Sequence, residues 1–487
     1  MTHICKRVPV RPLAGYALAL AVACSATDAL AGTCPAAPRD AAAVRIAPDW
    51  TRPGKRFEGW GTALAWFGHV TGGLPDPVRT DLADKLYGDT GLRLNIARYN
   101  IGGGNAANAP AYLRQGADVP GFLTEKGWDW SADAAQRWWL DAIRDRVPEK
   151  DRIFEAFSNS PPSFMTVSGR VSGNEDGLQD NLKPGEEGAF ADYLAQAVQG
   201  LEQRHHIRFR TLSPVNEPNT PYWFAANTQE GAHWSPARQA MVVKAVKAAL
   251  KSHGLTTEIA APDETNAQTF VLDWAGLDAE AKADIGQLNV HSYDTTGKTA
   301  VRDIARVSGK RLWMSEVDLS PPNVRQGYDD MRPAIALGEQ IVSDINRLEP
   351  VAWVLWQAVE NDKGEGPASS NWGLIKLDYA AGAPSHVTGK YWAMGAFTRF
   401  IRPGARFLSS GDSDTVVAAR PDGKSFVAVH VNPGLYPRRL TFDLPGGATH
   451  MAVTVTDADR HWQTVCAGKA GAVVAPPMSV TTAEFTP

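Results

Sequence analysis

The sequence predicts a (β/α)8 barrel carrying a small β-sandwich. Two features point to the barrel: eight short apolar or β-branched runs, and helically spaced segments between them. A third, a change after about residue 400 to alternating runs joined by turn residues, points to the sandwich. With 487 residues the chain exceeds one ordinary domain and suits a large unit plus a smaller one. Its 44% hydrophobic and 21% charged residues are enough to bury a full core. The expected division is a leader over 1–31, an N-terminal strand segment over 32–55, the barrel over 56–400 and the sandwich over 401–487.

The elements follow in chain order. Lys6, Arg7 and Arg11 precede the apolar run "LAGYALALAVACSA", and "ALA" at 29–31 offers a small-residue cleavage site before Gly32. This reads as a signal peptide, so a secreted or periplasmic protein is expected, with lipoprotein anchoring at Cys24 as the alternative. "AAVRIAP" at 42–48 is a lone strand that needs partners, and it is expected to join the C-terminal sheet. The eight runs are "RFEGWGTALAW", "LRLNIARYNI", "RIFEAFSNS", "FRTLSPVNEP", "EIAAPDE", "QLNVHSY", "RLWMSEVDL" and "AWVLWQA". Between them, Phe190, Tyr193, Leu194, Ala197, Val198 and Leu201 fall on one helical face, and "SPARQAMVVKAVKAALKSHG" has a Ser-Pro start and a Gly254 stop. Beyond the last helical stretch, "DTVVAARPDGKSFVAVHV" is a hairpin pattern, with "LTFDL", "MAVTVTD" and "SVTTAEF" as further strands.

Barrel chemistry sits at the carboxyl ends of the strands, so the ends of the runs are where functional residues are expected. Glu217 closes the fourth run and Glu316 the seventh, which places two carboxylates across one barrel mouth. Retaining glycoside hydrolysis requires such a pair: one attacks the anomeric carbon, the other protonates the leaving oxygen and later activates water. Cleavage of the leader removes Cys5 and Cys24 and leaves Cys34 and Cys466. In an exported protein these two are candidates for one disulfide, between the lone strand and the C-terminal strands.

The same residues carry a resemblance. "NEP" at the fourth run and a glutamate at the seventh look like the clan of retaining barrel glycosidases. More narrowly, "FSNSPPSFM" at 157–165, "NLKP" at 181–184, "SPVNEPNTPYW" at 213–223 and "QEGAHW" at 229–234 resemble the endo-β-1,6-galactanase branch of glycoside hydrolase family 30. The likeness runs from about Phe57 to the C-terminus, since that family also builds a sandwich from both chain ends. It implies Glu217 as acid/base, Glu316 as nucleophile and Asn216 as a partner of the sugar 2-hydroxyl. Arg98, at the end of the second run, is expected beside Glu316, where a cation would keep the nucleophile ionised. Tyr293 and His291, at the end of the sixth run, are expected to touch the nucleophile and to position by hydrogen bonding, respectively.

The chain has sixteen tryptophans, and flat apolar rings suit sugar faces. Trp66, Trp223, Trp234 and Trp356 are the candidate platforms, with core packing as the rival reading of each. Asn159 is expected to line the mouth, and Glu230 either to read a sugar hydroxyl or to fix a loop; Trp60 and Glu360 are lesser candidates. The resemblance implies endo-hydrolysis of β-1,6-linked galactan or arabinogalactan side chains. The alternatives are a β-1,6-glucanase, a xylan-directed hydrolase of the same family, or a non-catalytic carbohydrate-binding protein.

Other chemistries fit poorly. A net charge of −4 and a pI near 6.3 give no basic stripe for nucleic acid. "IGGGN" at 101–105 lacks the lysine and Ser/Thr of a phosphate loop and reads as a tight turn over the mouth. His205 and His206 are adjacent, without zinc-ligand spacing, and no G-x-S-x-G marks a nucleophilic serine. No metal, cofactor or membrane span is expected. The partner is a polysaccharide or oligosaccharide, and a monomer is expected.

Overall fold

The computed structural model describes residues 34, 38, 41–104, 112–293, 296–319, 327–362, 372–382, 385–445 and 447–487. The leader and Cys24 lie outside the described residues. Each of the eight runs matches one strand, the sixth starting two residues before its run: β1 (Gly59–Ala63), β2 (Ile96–Asn100), β3 (Ile153–Phe157), β4 (Phe209–Ser213), β5 (Glu258–Glu264), β6 (Ile285–His291), β7 (Arg311–Glu316) and β8 (Ala352–Gln357). They pair in parallel in sequence order, and β8 closes onto β1. Such strands are covered on both faces, by helices outside and by one another's side chains inside. That is why they read as continuous apolar runs rather than as alternating ones.

The helices follow from their caps and faces. All six residues of the predicted face, from Phe190 to Leu201, are buried along the helix Glu187–His205. The next helix starts with Ser235 as N-cap and Pro236 as its first residue. It spans Pro236–Ser252, and Gly254 beyond it takes a φ of +67°, open to glycine at little cost.

The sandwich has two sheets. Six antiparallel strands run in the order Arg406–Leu408, Thr415–Ala419, Phe426–Asn432, Ser479–Thr486, His450–Thr456 and Gln463–Lys469. Opposite them, Ala42–Ile46 pairs in parallel with Arg438–Phe442, which also pairs with Val473–Ala475. The lone strand therefore joins C-terminal strands, in the smaller of the two sheets. Phe426 and Ala428 face the sandwich core with Ile46, Leu440 and Phe485, whereas Val427, Val429 and Val431 belong to the core shared with the barrel helices. This period-two alternation makes the larger sheet a wall between the two cores and fixes the sandwich against the barrel.

Cys34 and Cys466 form a disulfide across 432 positions of sequence. By the chain-entropy relation, closing so long a loop is worth at most about 6 kcal/mol. The parallel strand already holds the N-terminal segment, so the true gain is smaller.

Candidate active site

The mouth of the barrel holds a cavity of about 660 Å³, lined by Glu217 and Glu316 together with Asn159, Asn216, Tyr293, Trp66 and Trp356. Beneath it lies a buried lattice of charge built from strand ends. Arg98 on β2 donates to Glu155 Oε1 on β3 at 2.9 Å and to Glu316 Oε2 at 3.1 Å, and it is also bonded to Asp263 on β5. Its side chain is 0% exposed. Glu155 is further held by Thr211, Gln287 and Asn289. Buried ions persist only when paired and hydrogen-bonded, and this lattice meets that condition inside the lower barrel.

His291 at the end of β6 joins the lattice to the two glutamates. Its Nε2 lies 3.2 Å from Asp263 Oδ1, and its Nδ1 lies 3.2 Å from Glu217 Oε1 and 3.4 Å from Glu316 Oε1. Burial lowers its pKa, but the Glu316 charge and the bonds to Asp263 and Glu217 outweigh that and raise it to about 10. The ring is then an imidazolium at neutral pH, with both nitrogens donating. Asp263 is likewise disfavoured as an anion by burial, yet Arg98 and His291 hold it well below the usual carboxylate range.

The two mouth carboxylates have different surroundings. Glu316 accepts from Arg98 and, at 3.1 Å, from the Tyr293 hydroxyl. Burial pushes its pKa up to about 7; His291 and Arg98 act against the rise, and the charge of Glu217 adds to it. A proton on Glu217 would remove that repulsion and leave Arg98, His291 and Tyr293 to hold Glu316 as the anion. Glu217 touches no guanidinium among the described residues; it accepts from the Tyr222 hydroxyl and from His291. Its backbone takes a φ of +48°, pinned by its N–H to the Asp263 carbonyl and by Trp223 Nε1 donating 2.9 Å to its own carbonyl. A non-glycine residue in this region marks a position that its surroundings over-determine. One oxygen of each glutamate lies within 4.8 Å of the other's. Carboxylates this close can both reach one anomeric centre, as double displacement needs.

Several expected contacts need correction. Trp234 stacks on Phe190 and does not line the cavity. Trp223 borders the cavity but is 1% exposed, with its ring against Gly231, where a Cβ would stand 2.0 Å from it; it braces Glu217 and is no open platform. Trp60 is core, bonded to the Ile401 carbonyl at 2.8 Å. Glu360 pairs with Lys376 and accepts from the N–H groups of Trp372 and Gly373, so it fixes a loop. Arg98 and His291 do not line the cavity; they act through the carboxylates above them. Trp66 and Trp356 do line it, edge to face at 5.2 Å, although Arg114 covers one face of Trp66. Glu230 lines it as well while accepting from Gly103 N at 3.0 Å and Asn100 Nδ2 at 3.3 Å, so it fixes the "IGGG" turn; burial raises its pKa to about 8.

Tyr222, Trp372, Asp263 and Asp318 were missed. Asp263 and Asp318 could have been found by the rule that picked out the glutamates, an acid at or just past a run end. Tyr222 stands in "SPVNEPNTPYW", five residues after the glutamate it bonds. Trp372 has no local signal.

A parallel eight-stranded barrel with close carboxylates after its fourth and seventh strands defines a retaining glycosidase. A profile of the O-glycosyl hydrolase family 30 matches residues 80–305. An endo-β-1,6-galactanase of Hypocrea rufa is 30% identical over 420 residues, covering 81% of this chain and 82% of that protein. An exo-β-1,6-galactobiohydrolase of Bifidobacterium longum is 29% identical over 575 residues, covering 90% of this chain but only 37% of that protein. A conserved exported protein from Bacteroides fragilis shares the fold, with a TM-score of 0.78 at 20% identity over 91% of this chain and 100% of its own. The chain belongs to glycoside hydrolase family 30.

The imidazolium gives a pH prediction. The raised pKa of His291 means that its stabilisation is fully present below its ordinary value of 6.5 and is lost as the pH rises through about 10. Melting temperature and activity are expected to fall together over that upper range, and His291→Gln to lose the joint alkaline step. A wild-type ring that titrates near 6.5 by NMR would refute the imidazolium.

Proposed function

We propose that this chain is an exported, monomeric endo-hydrolase of β-1,6-galactan that works by double displacement. Glu316 attacks the anomeric carbon of one galactosyl unit, while Glu217 gives its proton to O6 of the next unit as that bond breaks. Glu217, now the base, takes a proton from water; the water oxygen bonds to the anomeric carbon and Glu316 leaves. The β configuration is kept. The relatives' activities supply the sugar and linkage, and export rests on the leader-like N-terminus and on the disulfide.

Internal cleavage rests on the Hypocrea rufa relative, and one observation supports binding of units beyond the cut: the cavity does not end at Glu217. It continues into a shallow groove along Tyr222, Phe224, Asn227 and Gln229, with the Phe224 side chain 44% exposed. The loop beneath is fixed by Ala225 N to Asn174 O at 2.7 Å, and Gly177 supports the Phe224 ring. Because Glu217 faces the leaving oxygen, this groove lies on the leaving-group side and offers a ring to the units beyond the cut.

The test is digestion of a polysaccharide panel with linkage analysis of early products. β-1,6-Galactan is expected to give galactobiose and longer oligomers; free galactose as the sole first product, or equal rates on β-1,6-glucan, would overturn the reading. Phe224→Ala is expected to shift cleavage of reducing-end-labelled galactohexaose toward the reducing end. It is also expected to lower kcat/KM on that substrate about tenfold more than on an aryl galactobioside. An unchanged cleavage pattern would remove the groove from substrate binding.

A further inference from the structure

Asp318 lies two residues past the nucleophile, in "SEVDLS", and lines the same cavity. Its side chain is 3% exposed. Oδ1 is satisfied: it accepts from Leu319 N at 2.7 Å and lies 3.4 Å from Lys390 Nζ. Oδ2 is buried and has no hydrogen-bond partner among the described residues. An unpaired carboxylate oxygen in a closed wall is costly, and most buried polar atoms avoid it.

The surroundings hold this side chain in place. Lys390 also donates to the carbonyls of Trp372 at 2.6 Å and Leu319 at 3.2 Å, which ties Asp318 to the segment carrying Trp372. Trp356 N donates to the Val317 carbonyl at 3.0 Å, which fixes the backbone just before Asp318 against β8. The carboxylate therefore stands rigidly beside the wall made by Trp356 and Trp372. Glu316 and Asp318 line one cavity two residues apart, a separation of up to about 6–7 Å along the chain, roughly one pyranose ring. With the anomeric carbon at Glu316, Asp318 reaches the far side of that ring. The 2-hydroxyl lies next to the anomeric carbon, and in a β-1,6 chain O6 of this unit is already linked. The free donors left on the far side are the 3- and 4-hydroxyls.

We propose that Asp318 is a specificity-determining residue, whose Oδ2 accepts a hydrogen bond from the 3- or 4-hydroxyl of the galactosyl unit attacked by Glu316. This rests on the β-1,6-galactan reading above. A site built around a buried acceptor rejects a ligand lacking the matching hydroxyl far more strongly than an apolar pocket rejects a change of size. The 4-hydroxyl is also the group whose orientation separates galactose from glucose.

The test pairs Asp318→Asn and Asp318→Ala with aryl β-1,6-galactobiosides deoxygenated at C2, C3 or C4 of the ring bearing the aryl group. Wild type is expected to lose about 100-fold or more in kcat/KM on the 3- or the 4-deoxy substrate. The variants should lose a similar factor on the parent compound and little further on that same deoxy compound. A purely structural role would lower all substrates alike, so equal losses across the series overturn the proposal. Thermal unfolding of each variant separates misfolding from lost recognition, and the shape-preserving asparagine keeps the comparison open if alanine does not fold. If wild type cleaves none of these galactosides, the galactanase reading itself fails. If it cleaves them without coupling to position 318, only the role of Asp318 fails.

Discussion

Glu316→Ala is expected to lower turnover by about 10⁴-fold or more, because it removes the atom that forms the covalent intermediate. Azide should restore part of the activity by entering the space left by the side chain, giving a glycosyl azide of inverted configuration. Glu217→Ala should behave differently. With an aryl leaving group the first step needs no acid, so the intermediate forms and waits for a base. Azide, which needs no deprotonation, should then attack and give the retained product. The structure explains why the roles are not interchangeable: Arg98 and Tyr293 bond directly to Glu316, whereas Tyr222 and His291 hold Glu217. Stereochemistry of the two azides by NMR decides the assignment, and the opposite pattern would exchange the two roles.

The barrel was legible because parallel strands covered on both faces leave short apolar runs, and eight such runs alternate with helical segments. The carboxylate pair was legible for the same reason. A glutamate after β4 or β7 leaves the apolar interior at the mouth, where packing gives it no purpose. The tryptophans were less readable, since a ring's use depends on what covers its face. Phe190 covers Trp234 and Gly231 receives Trp223, neighbours that only the folded chain brings together. The lattice was partly legible. Arg98 was expected beside Glu316, but the convergence of Glu155 and Asp263 on the same guanidinium depends on barrel closure, which sequence spacing does not encode.

Arg98→Met should be the most destabilising single change near the site. Methionine approximates the length of arginine without its charge, so packing is largely kept while Glu155, Asp263 and Glu316 lose the cation that all three contact. Breaking a buried ion pair from one side costs about 3–5 kcal/mol, because the remaining charge is left uncompensated. Here the guanidinium serves three carboxylates, so the upper end of that range is expected, with a fall in melting temperature on the order of 5 °C at pH 7. The pH dependence follows from Asp263. Its depressed pKa contributes stability that is present above its ordinary value of 3.8 and lost as the pH falls through the lower folded value. The variant has little of that contribution to lose, so the gap between variant and wild type should narrow as the pH drops below about 4. Activity should also collapse, since Glu316 loses its fixed counter-charge. Thermal melts of both proteins from pH 3 to pH 8 provide the check. A variant that melts within about 2 °C of wild type at pH 7 would mean that the lattice neutralises itself by taking up a proton rather than depending on Arg98.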